Sequence, residues 1–308
     1  MQGISRRDFL KYGTALAGLF GLQAAGGAKL AEALEQLAQG AAPVLWLQGQ
    51  SCSGCSVSFL NTEQPAVAEV LTRYISLAAH STLSAATGEQ FMEIINKAVA
   101  GGGYYLVAEG SVPAGMPKAC MIGHAPYADL LLRAASGSRA VIAIGTCAAA
   151  GGIPAAEDNP TGAISVPAYF KKAGVSKPTI LLPGCPCHPD WLVGTLAHLL
   201  KIGVPPLDEL GRPLAFYGRP LHDICPRFAD YERERYARFF GDQGCLFQLG
   251  CLGPITRADC TQREWNGVNT CIKAGAPCIG CASPEFALRK NLPFYRKNPA
   301  FRISEEKK

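Results

Sequence analysis

The groups best suited to chemistry in this 308-residue chain are its 13 cysteines, and they are clustered. Cys225, Cys245, Cys251, Cys260, Cys271, Cys278 and Cys281 share one stretch with His222. Thiolate and imidazole are the ligands of iron–sulfur clusters and zinc. Four such groups hold one centre, so the eight between His222 and Cys281 suggest two. The closing pair, Cys278 and Cys281, is a CxxC that presents two thiolates from one tight turn. A second CxxC, Cys52 and Cys55, stands far upstream, with Cys147 and Cys185 spaced between.

The elements that must position these residues alternate. Apolar runs at 43–48, 74–79, 104–108, 140–144 and 179–182 read as strands. Helical patterns follow from 56, at 128–135 and at 191–201, the last with Pro189 near its first turn. Residues 87–90 form a capping box ahead of an apolar face of Phe91, Ile94, Ile95, Ala98 and Val99. Alternating strands and helices predict an α/β fold, a doubly wound parallel sheet. In this pattern Cys52, Cys55, Glu109, Cys147 and Cys185 each lie just past the C-terminal end of a strand, the edge where open α/β sheets bind ligands. Four thiols from three loops therefore converge, which points to one iron–sulfur cluster more than to zinc, whose sites favour two compact CxxC knuckles. Beyond residue 204 proline, glycine and cysteine become frequent and strands fade; only 231–240 predicts a helix there.

Composition narrows the function classes. Hydrophobic residues are 48% and charged residues 17%, as in a globular protein. The net charge of +5 is too mild for a phosphate-tracking surface, so nucleic acid is not the expected partner. Ser5, Arg6, Arg7, Asp8, Phe9, Leu10 and Lys11 precede an apolar stretch at 12–28, the pattern of a twin-arginine (Tat) signal. Three segments follow: a signal segment at 1–42, a sheet domain at 43–204, and a C-terminal domain at 205–308. Export would suggest disulfides, but an odd, clustered set of cysteines fits metal ligation before export better. No stretch near the C-terminus is long and apolar enough to span a bilayer. The expected location is periplasmic, with any membrane association through a partner.

The ordered motifs resemble the small subunit of nickel–iron hydrogenases. They are the segment 44–55 ending in Cys52 and Cys55, Ala108-Glu109-Gly110, Gly145-Thr146-Cys147 with Gly151 and Gly152, Pro183-Gly184-Cys185-Pro186, His222 with Cys225, Cys245 with Cys251, and the block from Cys260 to Cys281. The resemblance implies a flavodoxin-like domain followed by a loop-rich iron–sulfur domain, three clusters in this chain, and a nickel–iron centre in a partner large subunit. It assigns Cys52, Cys55, Cys147 and Cys185 to a proximal 4Fe–4S cluster. His222, Cys225, Cys245 and Cys251 match a distal 4Fe–4S cluster, and Cys260, Cys278 and Cys281 a medial one. Most family members have proline where this chain has Cys271 and hold 3Fe–4S at the medial site. The fourth thiolate implies 4Fe–4S and is similar to the nickel–iron–selenium (NiFeSe) branch. Oxygen-tolerant members carry extra cysteines where Gly54 and Gly152 stand, so their six-cysteine cluster is not expected. Implied partners are the large subunit, in a heterodimer, and a carrier such as a c-type cytochrome.

Several residues stay open. Glu109 suits a proton path, because hydrogen oxidation releases protons, or equally a structural carboxylate. His188 either lines the first site or caps a helix. Cys120 and Cys187 read as structural thiols, and His80, His124 and His198 as packing or surface groups. Two other functions compete: a standalone iron–sulfur or flavodoxin-like carrier, and an interaction protein stapled by zinc or disulfides.

Overall fold

The computed structural model describes residues 42–287, apart from 157 and 266. The twin-arginine segment and the C-terminal tail lie outside the described residues. Five parallel strands form the central sheet: β1 (Ala42–Gln48), β2 (Ile75–Ala79), β3 (Tyr105–Glu109), β4 (Ala140–Ile144) and β5 (Thr179–Leu182). Their spatial order is β2-β1-β3-β4-β5, the flavodoxin-like order, in which the winding reverses between β1 and β3.

Both faces of the sheet are covered, which is why its strands are apolar throughout. Val44, Trp46, Ile142 and Ile144 turn to one side; Leu45, Leu47, Val141 and Ala143 turn to the other. The helices are α1 (Gly54–Leu60), α2 (Gly88–Gly101), α3 (Tyr127–Gly137), α4 (Gly145–Ala150), α5 (Val166–Ala173) and α6 (Pro189–Lys201). The second face packs residues of α3 and α5. The first packs α6, and Phe216, Tyr217, Ala258 and Ala282 join the same core. The cysteine-rich segment is thus continuous with the sheet domain and not tethered beside it.

Helix α6 is the joint. Trp191 is fully buried and donates from Nε1 to Asp259 Oδ1 at 2.7 Å. Arg263 donates to Asp259 Oδ2 at 2.7 Å and lies 3.5 Å from Asp190. His188 is 2% exposed; its Nδ1 caps α6 by accepting from the Asp190 N–H, and its Nε2 lies 2.8 Å from the Glu264 carbonyl oxygen. Of its two sequence readings, the structure shows the cap.

Two local expectations fail. The helix expected at 231–240 is instead Phe228–Glu232, after which Tyr236 pairs with Cys245 in a β-bridge. The alternating charges suit a helix, but Asp230 binds Arg235 and the Arg235 carbonyl accepts from the Cys245 N–H, which turns the chain back toward that cysteine. Thr87 does stand at the N-cap of α2, but its hydroxyl makes no capping bond.

Candidate functional site

The first cysteine set is built by three strand ends. Cys52 follows β1, and Cys55 lies in the first turn of α1 behind Ser53, whose φ of 59° turns the chain sharply. Cys147 sits in α4 directly after β4, a helix that the sequence pattern did not announce. Cys185 follows β5. Together with Glu109 and Gly110 at the end of β3, the four cysteines line one cavity. Gly145 makes the close approach possible: at φ +80° an added Cβ would lie 2.5 Å from Cys55 Sγ.

The electrostatics follow from crowding. Burial holds the Cys55 thiol well above its ordinary value, with Cys187 and Glu109 adding to the shift. Burial raises Cys147 to about 11, with Cys185 next in effect. Cys185 is raised by burial and then by Cys52. Bare thiolates repel in such a space, and a cationic core would reverse the balance.

Glu109 is 1% exposed and accepts four hydrogen bonds. The donors are Trp46 Nε1 (2.9 Å), Gln48 Nε2 (3.2 Å), Ser56 Oγ (2.5 Å) and the Ser56 N–H (3.4 Å). Ser56 Oγ also lies 3.0 Å from His80 Nε2. His80 Nδ1 accepts from the Thr82 N–H at 3.0 Å, so the ring proton of neutral His80 is on Nε2 and points at Ser56. His80 is fully buried, and burial lowers its pKa. Sequence reasoning passed over His80, Ser56 and Trp46; their only signal was three polar-capable side chains beside an apolar strand and its neighbour.

The second set lines another cavity: His222, Cys225, Cys245 and Cys251, with Arg227, Phe247 and Ile272. His222 lies in a short 3-10 turn, Leu221–Ile224, and packs edge-on against Phe228 (5.1 Å) and Tyr231 (4.6 Å). Arg227 braces the wall by donating to the carbonyls of Asp242 and Gly244, both at 2.8 Å. Its N–H points at Cys225 Sγ, 3.4 Å away.

Cys260, Cys271, Cys278 and Cys281 form the third set. Cys260 opens the short helix Cys260–Arg263; burial raises its thiol, and Cys281, Cys278 and Cys271 raise it further. Cys271 is exposed as a residue, yet its thiol acts on both Cys260 and Cys281. Burial pushes Cys278 up to about 12 and Cys281 to about 11.

The three sets abut in a fixed order. The Thr146 hydroxyl, beside Cys147, donates to the Cys281 carbonyl oxygen, which joins the first set to the third. The N–H of Leu252, next to Cys251, donates to the Cys278 carbonyl at 2.8 Å, which joins the third to the second. Cys187 lies outside the first cavity: 1% exposed, it turns its thiol to the His188 carbonyl while its N–H points at Cys55 Sγ, 3.4 Å away. Cys120 packs against the second core face. Among the described residues no three His, Cys, Asp or Glu side chains gather tightly enough for a single metal ion. Four thiols lining one cavity have the donor chemistry of an iron–sulfur cluster site.

Comparison with known proteins covers nearly all of the chain. A family described as the C-terminal part of the NiFe/NiFeSe hydrogenase small subunit matches residues 217–295, and one described as NADH ubiquinone oxidoreductase, 20 Kd subunit, matches 52–199. The periplasmic NiFeSe hydrogenase small subunit of Desulfomicrobium baculatum is 40% identical, over 95% of this chain and 98% of the relative. The periplasmic NiFe hydrogenase small subunit of Solidesulfovibrio fructosivorans is 38% identical, over 96% and 94%. The solved structure of H2-activated NiFeSe hydrogenase from Dm. baculatum has a TM-score of 0.78 at 41% identity, covering 83% of this chain and 98% of that one. Recombinant NiFeSe hydrogenase from Desulfovibrio vulgaris Hildenborough gives 0.76 at 43%, covering 80% and 94%.

Proposed function

The chain belongs to the small-subunit family of NiFe and NiFeSe hydrogenases, and from that premise we propose that it is the electron-transfer half of a hydrogenase heterodimer. The nickel–iron centre resides in the large subunit, and this chain connects it to an external acceptor. The division of labour follows residues 43–204 and 205–308.

Cys52, Cys55, Cys147 and Cys185 would hold the cluster nearest the large subunit. Cys260, Cys271, Cys278 and Cys281 would hold the middle one, and His222, Cys225, Cys245 and Cys251 the outer one. A 4Fe–4S cluster in each site supplies a one-electron carrier whose potential depends on its ligands, hydrogen bonds and exposure. The observation that supports the reading is that hydrogen bonds join the three sets in order: Thr146, beside Cys147, donates to the Cys281 carbonyl oxygen, and the N–H of Leu252, beside Cys251, donates to the Cys278 carbonyl oxygen. It makes one continuous row from the sheet edge to His222. The protein's part is to hold the sets in that row, with Cys245 and Cys278 buried.

The exposed apolar residues Val57 and Ile153 flank the first set, and we place the large subunit on that face. The acceptor, a c-type cytochrome or similar carrier, docks nearer His222. Export by the Tat route would bring the assembled protein to the periplasm. Among the described residues no helix is long and apolar enough to cross a membrane. Glu109 takes part in proton movement only if a donor can yield it a proton, and Ser56, in line with His80, is arranged to do so. Ser56→Ala should then slow hydrogen–deuterium exchange by the heterodimer.

Purification from the native host tests the assignment. A large subunit should copurify, and iron and acid-labile sulfide should accompany the pair. A chain isolated alone, with the visible bands of a flavin, would overturn it.

A further inference from the structure

Thr146 lies between Gly145 and Cys147 at the start of α4 and is 1% exposed. Its hydroxyl accepts from the Gly184 N–H at 2.9 Å and donates to the Cys281 carbonyl oxygen. Its own N–H donates to the Gly184 oxygen at 3.0 Å. Three backbone segments therefore meet at one side chain. Each carries a thiol of the first or third set: Cys147 adjoins Thr146, Cys185 adjoins Gly184, and Cys281 is the third partner itself.

This junction is also where the two sets approach each other. A hydroxyl offers one proton and two lone pairs, and here it both donates and accepts across the gap between the sets. Valine would fill the same volume and do neither, leaving a buried N–H and a buried carbonyl without this partner.

We propose that Thr146 is the positioning residue that holds the first and third clusters against each other and so sets the electronic contact between them. The proposal rests on the reading of these two sets as cluster sites. Its physical basis is that hydrogen bonds around the ligating sulfurs set cluster potentials, and that the Thr146 hydroxyl ties the Cys281 carbonyl to the Gly184 N–H, next to Cys185.

The test uses the assembled heterodimer, wild type, Thr146→Val and Thr146→Ser, with metal analysis and a redox titration followed by EPR. Thr146→Val should keep wild-type iron and sulfide, change the magnetic splitting between the first and third clusters, and shift the potential of the third. Thr146→Ser, which keeps the hydroxyl, should restore both. If valine prevents assembly, Thr146→Ala carries the same expectation without a misplaced methyl group. Wild-type splitting and potential in the valine or alanine protein would overturn the proposal, and so would a serine protein that fails to restore them. The underlying reading fails separately, by a wild-type chain lacking the roughly 12 irons of three 4Fe–4S clusters.

Discussion

Replacing Trp191 by phenylalanine tests how the sheet domain grips the cysteine-rich segment. The change keeps an aromatic ring beside Tyr217, now 5.0 Å away, but deletes the N–H that donates to Asp259 Oδ1 at 2.7 Å. Asp259 is 9% exposed and immediately precedes Cys260. A hydrogen bond to a charged group contributes about 1.5–3 kcal/mol. Arg263 still binds the other carboxylate oxygen, so about 2 kcal/mol is the expected loss from this contact. At about 2–4 °C per kcal/mol for a domain of this size, the thermal midpoint should fall about 4–8 °C. The narrower ring adds a cavity cost, so the assay is a double-mutant cycle of Trp191→Phe and Asp259→Ala in the metal-loaded protein. The coupling should be about 2 kcal/mol; two effects that add to within about 0.5 kcal/mol would refute the reasoning. The pH dependence has a definite sign. Burial raises the Asp259 pKa from 3.8, and Trp191 and Arg263 pull it back. A raised carboxyl pKa means that the folded state binds the proton more tightly, so stability is lost as pH rises through the folded value. Trp191→Phe raises that pKa further, and its deficit should shrink as pH is lowered toward 3.8.

Three further outcomes follow from named contacts. Cys271→Ser removes the fourth thiolate of the third set, and EPR of the oxidised protein should gain a 3Fe–4S signal with a loss of about one iron; a strong 3Fe–4S signal already in the wild type would instead sink the four-thiolate assignment. Gly145→Ala forces a Cβ to 2.5 Å from Cys55 Sγ at a positive φ, so iron should fall by about four while the other two sites stay loaded. His80 has its pKa lowered from 6.5 by burial, so the folded state resists its protonation and stability drops as pH falls below 6.5; in His80→Gln the decline in thermal midpoint between about pH 7 and pH 5 should flatten.

Much of this was legible in the sequence because the sheet is simple. The strands at 140–144 and 179–182 appear at their expected bounds, since each is an apolar run closed by glycine or proline. The placement of four thiols at strand ends followed from the α/β pattern alone. The helix expected at 231–240 misled because charge alternation says nothing of a long-range bridge such as Tyr236 to Cys245. Helix α4 was missed because its six residues are small and follow a strand without a break. The buried line His80–Ser56–Glu109 was invisible for a related reason: its members come from three separate segments of the chain, and no local spacing links them. The same holds for Thr146, whose partners at Gly184 and Cys281 lie 38 and 135 positions away.

The central claim is that one chain holds three polynuclear clusters in a row. Iron and acid-labile sulfide, counted on the copurified heterodimer after subtraction of the large subunit's own metal, test it most directly. The account predicts about 12 irons and about as many sulfides per chain, from three 4Fe–4S clusters. A value near four, or zinc in place of iron, would contradict it.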